Sequence, residues 1–204
     1  MPTLYFATHN SNKVRELQQI FASHHLAHFQ LKSLADLNDL QEIEETGTTF
    51  QANALLKAEH LYQRHQVEGF ADDSGLEVEA LGGAPGIYSA RYSGKYLPNG
   101  KADDKANIAK LLEALAGLPP EKRKARFVTV IALIWQGKAY FFEGTVEGHL
   151  IEEPKGENGF GYDPIFIPFG ETKTFAQMDK DKKNSLSHRA KAVQKLLAFL
   201  QTVS

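Results

Sequence analysis

The stretch Thr3-Leu4-Tyr5-Phe6-Ala7-Thr8-His9-Asn10-Ser11-Asn12-Lys13-Val14-Arg15-Glu16-Leu17-Gln18-Gln19-Ile20-Phe21 decides the fold class. Thr3 to Ala7 is a short apolar run, Thr8 to Lys13 is a polar turn, and Val14, Leu17, Ile20 and Phe21 then recur at helical spacing. That order reads as strand, loop, helix. Outward from it, Phe29 to Leu34 begins a second unit that passes through the acidic loop Glu42-Ile43-Glu44-Glu45-Thr46-Gly47. A helix from about Thr49 to His65 follows, with Leu55, Ala58 and Tyr62 on one stripe. Gly69 to Leu81 reads as a strand interrupted by Asp72-Asp73-Ser74-Gly75, and Gly82-Gly83-Ala84-Pro85-Gly86 is irregular. Asp103 to Ala116 is a helix with Ile108, Leu111, Leu112 and Leu115 on its apolar face, ended by Leu118-Pro119-Pro120. Phe127 to Trp135 and Ala139 to Leu150, separated by Gln136-Gly137-Lys138, form an antiparallel hairpin. The last helix runs from about Ser185 to Leu200 with Val193, Leu196, Leu197 and Leu200 inward.

Early alternation of strand and helix with a late hairpin gives an α/β or α+β arrangement of helices on a mixed sheet. No linker, repeat or biased tract divides the chain, so residues 1–204 are expected to form a single domain. At 204 residues, 42% of them hydrophobic and 24% charged, the chain can build a core without covalent staples. The absence of cysteine removes disulfide and thiolate-zinc chemistry. Lys plus Arg is 23 and Asp plus Glu is 25, a net charge of −2 that excludes a general nucleic-acid binder. No apolar run reaches the roughly 20 residues that span a bilayer. Met1-Pro2-Thr3 lacks the charged start of a signal peptide, so the expected location is cytoplasmic.

Polar clusters interrupt the apolar elements at their ends, where sites are built. Thr8 to Lys13 places hydroxyls, amides and one cation before a helix N-terminus, which suits a phosphate; Asn10, Ser11 or Asn12 equally suits a helix cap. Asp72-Asp73-Ser74-Gly75 sets two carboxylates in a sheet-like segment, fit either for a turn or, with Glu44 or Glu45, for Mg²⁺ or Mn²⁺. Lys173 to Lys195 holds seven cations and two carboxylates, and reads as a solvated face or an anion dock. Within it, Lys183 and Arg189 lie outside the apolar helix face and read as site residues rather than fold residues. Phe160-Gly161-Tyr162-Asp163-Pro164 offers rings that either stack on a base or cover the core. His24, His25 and His28 do not share a helix face and are set aside as a metal site.

Taken in order, Thr8 to Lys13, Glu44-Glu45-Thr46-Gly47, Ala71 to Leu76, Gly82 to Gly94, Gly159 to Pro164 and Ser187-His188-Arg189 closely resemble the inosine triphosphate pyrophosphatase family, over residue 3 to about 197. The resemblance implies hydrolysis of ITP, dITP and XTP to the monophosphate and pyrophosphate with Mg²⁺, or Mn²⁺ in its place, clearing damaged purines from the nucleotide pool. It also implies a homodimer and an elongated mixed sheet with two lobes around a nucleotide-binding cleft. Thr8, His9, Asn10, Ser11, Asn12 and Lys13 would then bind the triphosphate, with His9 standing where several relatives carry a small residue. Asp73 would be the general base and a metal ligand, and Glu44 the second ligand, with Glu45 adjacent to it. Ser74, Phe160, Gly161, Tyr162, Asp163, Lys183, His188 and Arg189 would contact the substrate.

Overall fold

A computed structural model of the chain describes residues 3–23, 30–41 and 43–203. His24, His25, His28 and Phe29 lie outside those residues, as do the side chains of Ser11 and Asn12. Strand β1 (Thr3–Phe6) leads into helix α1 (Ser11–Ser23), and β2 (Gln30–Ser33) precedes α2 (Phe50–His65). Then come β3 (Gly69–Val78), α3 (Asp104–Ala114), β4 (Lys124–Trp135), β5 (Lys138–Leu150), β6 (Phe166–Pro168), α4 (Lys180–Leu186) and α5 (His188–Thr202). The strands form one six-stranded sheet in the order β2-β1-β3-β4-β5-β6. β1 runs parallel to both β2 and β3, whereas β6 is antiparallel to β5, so the sheet is mixed and the fold is α/β. The expected hairpin is present. Gln136 and Gly137 join β4 to β5 with positive φ at both positions, the twist a two-residue turn requires.

The chain gathers into two units, which β3, β4 and β5 each traverse. One comprises Met1–Asp73, Thr129–Gly144 and Arg189–Ser204; the other comprises Ser74–Val128 and Thr145–His188. In the first unit, side-chain alternation sorts the strands onto two faces. Leu4, Phe6, Phe70, Ile131 and Leu133 pack with Leu17, Ile20 and Phe21 of α1 and with Val193, Leu196, Leu197 and Leu200 of α5. Ala7, Ala71, Ala132 and Ile134 pack with Ala54, Ala58 and Leu61 of α2. Phe6 and Phe70 stack at 4.8 Å on the first face. The second unit has its own core, in which Ile108, Leu111 and Leu115 from the α3 segment meet Leu76, Val78, Phe127, Phe166 and Phe175.

Two elements differ from the sequence reading. β3 is unbroken from Gly69 to Val78, with Asp72 and Asp73 in the strand. The carboxylates do not break the strand because each finds charged or amide partners on its own face. The last helix is divided: Ser187 is extended (φ −65°, ψ 151°) and ends α4, so that His188 and Arg189 open α5. Among the described residues, no helix is long and apolar enough to cross a membrane.

Candidate active site

Successive residues of a strand face opposite ways, so Asp72 and Asp73 cannot act as one carboxylate pair. Asp72 shares the parity of Phe70 and points toward α1 and α5. Lys13 Nζ donates to its Oδ1 at 2.8 Å and Arg189 Nε to its Oδ2 at 3.4 Å. All three groups are well buried; Asp72 is 3% exposed and Arg189 2%. Burial raises the Asp72 pKa, but Lys13 and Arg189 outweigh it and hold the carboxyl well below the usual range. Burial also lowers the Lys13 pKa, with Asp72 opposing that shift. Two cations thus share this carboxylate.

The Thr8 to Lys13 turn that delivers Lys13 also caps α1. Asn10 Oδ1 accepts the Lys13 N–H at 3.3 Å, and Thr8 Oγ1 accepts the Asn10 N–H at 3.1 Å. The capping role foreseen for Asn10 is therefore real, and it holds the turn at the helix N-terminus with Thr8 and His9 outside the helix. His9 is exposed and donates from Nε2 to the Gln41 carbonyl at 3.0 Å, tying this turn to the acidic loop.

Asp73 shares the parity of Ala71 and meets α2. Asn53 Nδ2 donates to its Oδ2 at 3.1 Å, and Lys57 Nζ stands 3.6 Å from its Oδ1 while pairing with Glu45 Oε1 at 2.8 Å. Asn53 and Lys57 are four residues apart, one turn of α2, which puts both on the same stripe. Burial raises the Asp73 pKa and the Glu45 charge adds to the shift; attraction to Lys57 and the Asn53 hydrogen bond offset only part of it. For Lys57 the balance goes the other way, since its burial is outweighed by Asp73 and Glu45 and its pKa is raised. Of the two adjacent glutamates, Glu45 is half-buried in this cluster and Glu44 is exposed.

The acidic loop lies along α2. Asp39, buried, accepts from His65 Nε2 at 2.6 Å and pairs with Arg64 at 3.2 Å; Arg64 also bonds the Gln41 side chain. Farther along, Gly47 N–H donates to Asn53 Oδ1 at 2.8 Å. Asn53 therefore fixes the loop through its oxygen and Asp73 through its nitrogen.

In the second unit, Phe160 to Asp163 form a tight turn. Asp163 Oδ2 accepts the Phe160 N–H at 2.9 Å and the Lys183 ammonium at 2.7 Å. Gly159 adopts φ +80°, and a Cβ there would run into the Asp163 carboxylate, so only glycine fits. Lys183 Nζ lies 5.0 Å from the centre of the Phe160 ring. Phe160 is half-buried, whereas Tyr162 is buried and donates its hydroxyl to the Ser89 carbonyl at 2.9 Å. Of the two rings, Tyr162 covers the core and Phe160 retains an exposed part. His188 is buried and stacks on Phe127 at 4.8 Å. Ser74 is half-buried in β3, directly after Asp73.

The first unit thus gathers Lys13 and Arg189 on Asp72, with Asp73 in the neighbouring Asn53–Lys57–Glu45 cluster and within electrostatic reach of Lys13, and the second unit brings together Phe160, Asp163 and Lys183. Arg189 belongs to the interior, contrary to its reading as a residue outside the core, because Asp72 neutralises it there. Sequence reasoning missed Asn53, Lys57 and the structural part of Asp72. Asn53 and Lys57 are polar residues beside the inward Ala54, Ala58 and Leu61, and that break in an apolar face was the available signal. The basic run from Lys173 is largely occupied: Lys182 pairs with Glu171 at 2.7 Å, and Lys195 donates to the Glu143 carbonyl.

The Ham1 family model matches residues 4–199. A protein from Christiangramia forsetii named dITP/XTP pyrophosphatase is 46% identical over 197 residues, covering 97% of this chain and 98% of its own. One of the same name from Bacillus subtilis is 46% identical over 202 residues, covering 98% of each. Among solved structures, the Staphylococcus aureus Ham1 protein superposes with a TM-score of 0.86 at 40% identity, over 99% of this chain and 100% of that one. A HAM1 protein from Coxiella burnetii gives 0.87 at 37% identity with the same coverage. With the match running through nearly every element and through both charge clusters, the chain belongs to the Ham1 family.

Proposed function

We infer that this chain is a hydrolase, a nucleoside triphosphate pyrophosphatase that cleaves dITP, ITP and XTP to the monophosphate and pyrophosphate. The observation that carries this reading is the sorting of charge by β3. On the Asp72 side two cations meet one carboxylate, and on the Asp73 side two carboxylates meet one cation. The first cluster suits a polyphosphate and the second a divalent cation, and the action of the Lys57 charge on Asp72 and of the Lys13 charge on Asp73 keeps the two within reach of one substrate.

The donor set fits Mg²⁺ or Mn²⁺. A single ammonium, Lys57, already reaches oxygens of Asp73 and Glu45, all hard donors. Among the described residues, no group of three His, Asp or Glu side chains forms a complete cage. A metal held by Asp73 and a carboxylate of Glu44-Glu45 would take its remaining ligands from phosphate and water, the habit of Mg²⁺. When bound, it supplies positive charge to the phosphate oxygens.

The residues of the chain do the rest. Asp73, its pKa raised by burial, accepts a proton from the attacking water more readily than an ordinary carboxylate. The water oxygen bonds to phosphorus as the bond to the bridging oxygen breaks. Lys13 stabilises the charge gathering on the departing pyrophosphate. Thr8, His9, Asn10, Ser11 and Asn12 surround the phosphates, and Ser74 contacts the substrate beside Asp73. Phe160, Gly161, Tyr162, Asp163, Lys183, His188 and Arg189 are assigned to the base pocket and part of the phosphate surround. Donors at the 6-oxo edge accept hypoxanthine and xanthine and meet the 6-amino group of adenine with a donor of their own. The resemblance alone extends the proposal to a homodimer that clears damaged purines from the nucleotide pool.

The test is to incubate the protein with ITP, ATP and GTP, with and without Mg²⁺, and identify both products. IMP and pyrophosphate, formed only with metal and fastest from ITP, are expected. Orthophosphate as the first product would move attack to the terminal phosphorus. Nucleotide binding without a product would make the chain a nucleotide-binding protein. In the same assay, Lys183→Ala is expected to raise the KM for ITP about tenfold, the factor carried by one charge-assisted contact. Asp163 keeps its bond to the Phe160 N–H but loses its buried partner Lys183, so the melting temperature should fall as well, and the KM is read at a temperature where the variant is folded. An unchanged KM would place the base pocket elsewhere.

A further inference from the structure

The turn that carries Phe160 is fastened from outside by a residue in none of the roles above. Asp104, the first residue of α3, accepts the Gly161 N–H on Oδ2 at 2.8 Å. A peptide plane is rigid, so fixing the Gly161 N–H fixes the orientation of the Phe160–Gly161 peptide. Gly161 is at φ +60° and, without a Cβ, restrains the adjoining peptide plane less than any other residue would. Asp163 holds the other side of Phe160 through its N–H, and the Tyr162 hydroxyl anchors the next residue to the Ser89 carbonyl. One turn farther along α3, the buried Asn107 accepts from the Ser93 N–H at 2.7 Å and donates to the Ala90 carbonyl at 3.1 Å. The first turn of α3 thus grips two segments that bear on Tyr162 and Phe160. This helix does not need Asp104 as its cap, because Asp103 accepts the Ala106 N–H at 3.0 Å.

We propose that Asp104 is a positioning residue for nucleobase selection: by holding the Gly161 amide it fixes the Phe160 ring, beside Lys183, in the plane on which the purine stacks. The proposal rests on the pyrophosphatase reading. It adds that affinity for the base depends on a carboxylate that never touches it. Loss of the clamp lets the ring sample other orientations, which weakens base binding in ground state and transition state alike and so acts on KM.

The experiment compares Asp104→Ala with Asp104→Asn, since Asn retains an oxygen that can accept the Gly161 N–H but lacks the charge. Steady-state kinetics with ITP, melting temperature and NMR amide exchange at Gly161 are measured for each. Asp104→Ala is expected to raise the KM about tenfold with kcat within about threefold of wild type, and to speed Gly161 exchange at least about tenfold. Asp104→Asn should lie within about threefold of wild type in KM. A wild-type KM in Asp104→Ala overturns the proposal. So does equal loss of melting temperature in both variants with KM unchanged in both, because Asp104 would then serve only the helix N-terminus. If the wild-type protein itself releases no pyrophosphate from ITP, the pyrophosphatase reading fails and takes the proposal with it, an outcome distinct from the first two.

Discussion

Asp73→Asn is expected to lower pyrophosphate release from ITP by about 10²–10⁴, the range for losing a general base, while the protein becomes no less stable. The two halves of this expectation have one cause. Asp73 is buried, and neither the Lys57 ammonium at 3.6 Å nor the Asn53 amide at 3.1 Å compensates fully, so its pKa is raised. In the unfolded chain the same carboxyl titrates near the ordinary value of about 3.9. A carboxyl with a folded pKa above its unfolded one makes the ionised folded state less stable at neutral pH, and that penalty vanishes only at pH values below both. Asn has the same shape, can present its oxygen to Asn53, and removes the penalty. It cannot take a proton from water. The melting temperature at pH 7 should therefore equal or exceed that of wild type, while product formation collapses. Turnover within about tenfold of wild type would remove Asp73 from the base role. A melting temperature well below wild type would show that its charge supports the fold.

The contrast between Asp73 and its neighbour shows where the sequence was legible. The periodicity of Val14, Leu17, Ile20 and Phe21, and of Val193, Leu196, Leu197 and Leu200, marked helix faces that are buried in one core. The Gln136-Gly137 turn was readable from Gly137 set between two β-branched and aromatic runs, although Gln136, also at positive φ, gave no signal of its own. Asp72 and Asp73 were visible as a cluster, but their division was not. Strand parity assigns them to opposite faces only once β3 is known to be unbroken, and an Asp-Asp-Ser-Gly string carries turn chemistry as readily as strand chemistry. Lys57 and Asn53 were hidden for another reason. Their significance lies in contacts with residues 12 to 20 positions away, Glu45 and Asp73, which no local pattern announces. Arg189 was read as lying outside the apolar helix face, but it stands one turn before Val193 on the inward stripe, where a charge is tolerated because a partner of opposite sign is buried with it.

That interior triad is the second place where a single change should act strongly. Asp72→Asn is expected to cost about 3–5 kcal/mol, the cost of removing one partner from a buried ionic cluster, because Lys13 and Arg189 would face one another without a carboxylate between them. For a chain of this size that corresponds to a fall of roughly 10 °C in melting temperature. The sign of the pH dependence follows from the depressed Asp72 pKa: burial opposes ionisation, but Lys13 and Arg189 prevail. A carboxyl with a folded pKa below its unfolded one contributes stability fully above about pH 4, and loses it as pH falls through the folded value. Urea unfolding of wild type between pH 7 and pH 2.5 should show this acid limb, and Asp72→Asn should show a shallower one from a lower plateau. Equal acid limbs, or a plateau lowered by less than about 1 kcal/mol, would mean that Lys13 and Arg189 are neutralised by other groups. The same geometry explains why the cluster does not silence Lys13. Lys13 and Arg189 both pair with Asp72, so the one carboxylate is shared between two cations. Asp72 therefore makes burial of two cations tolerable while leaving charge for a polyphosphate to meet, and removing it should weaken the fold before it strengthens phosphate binding.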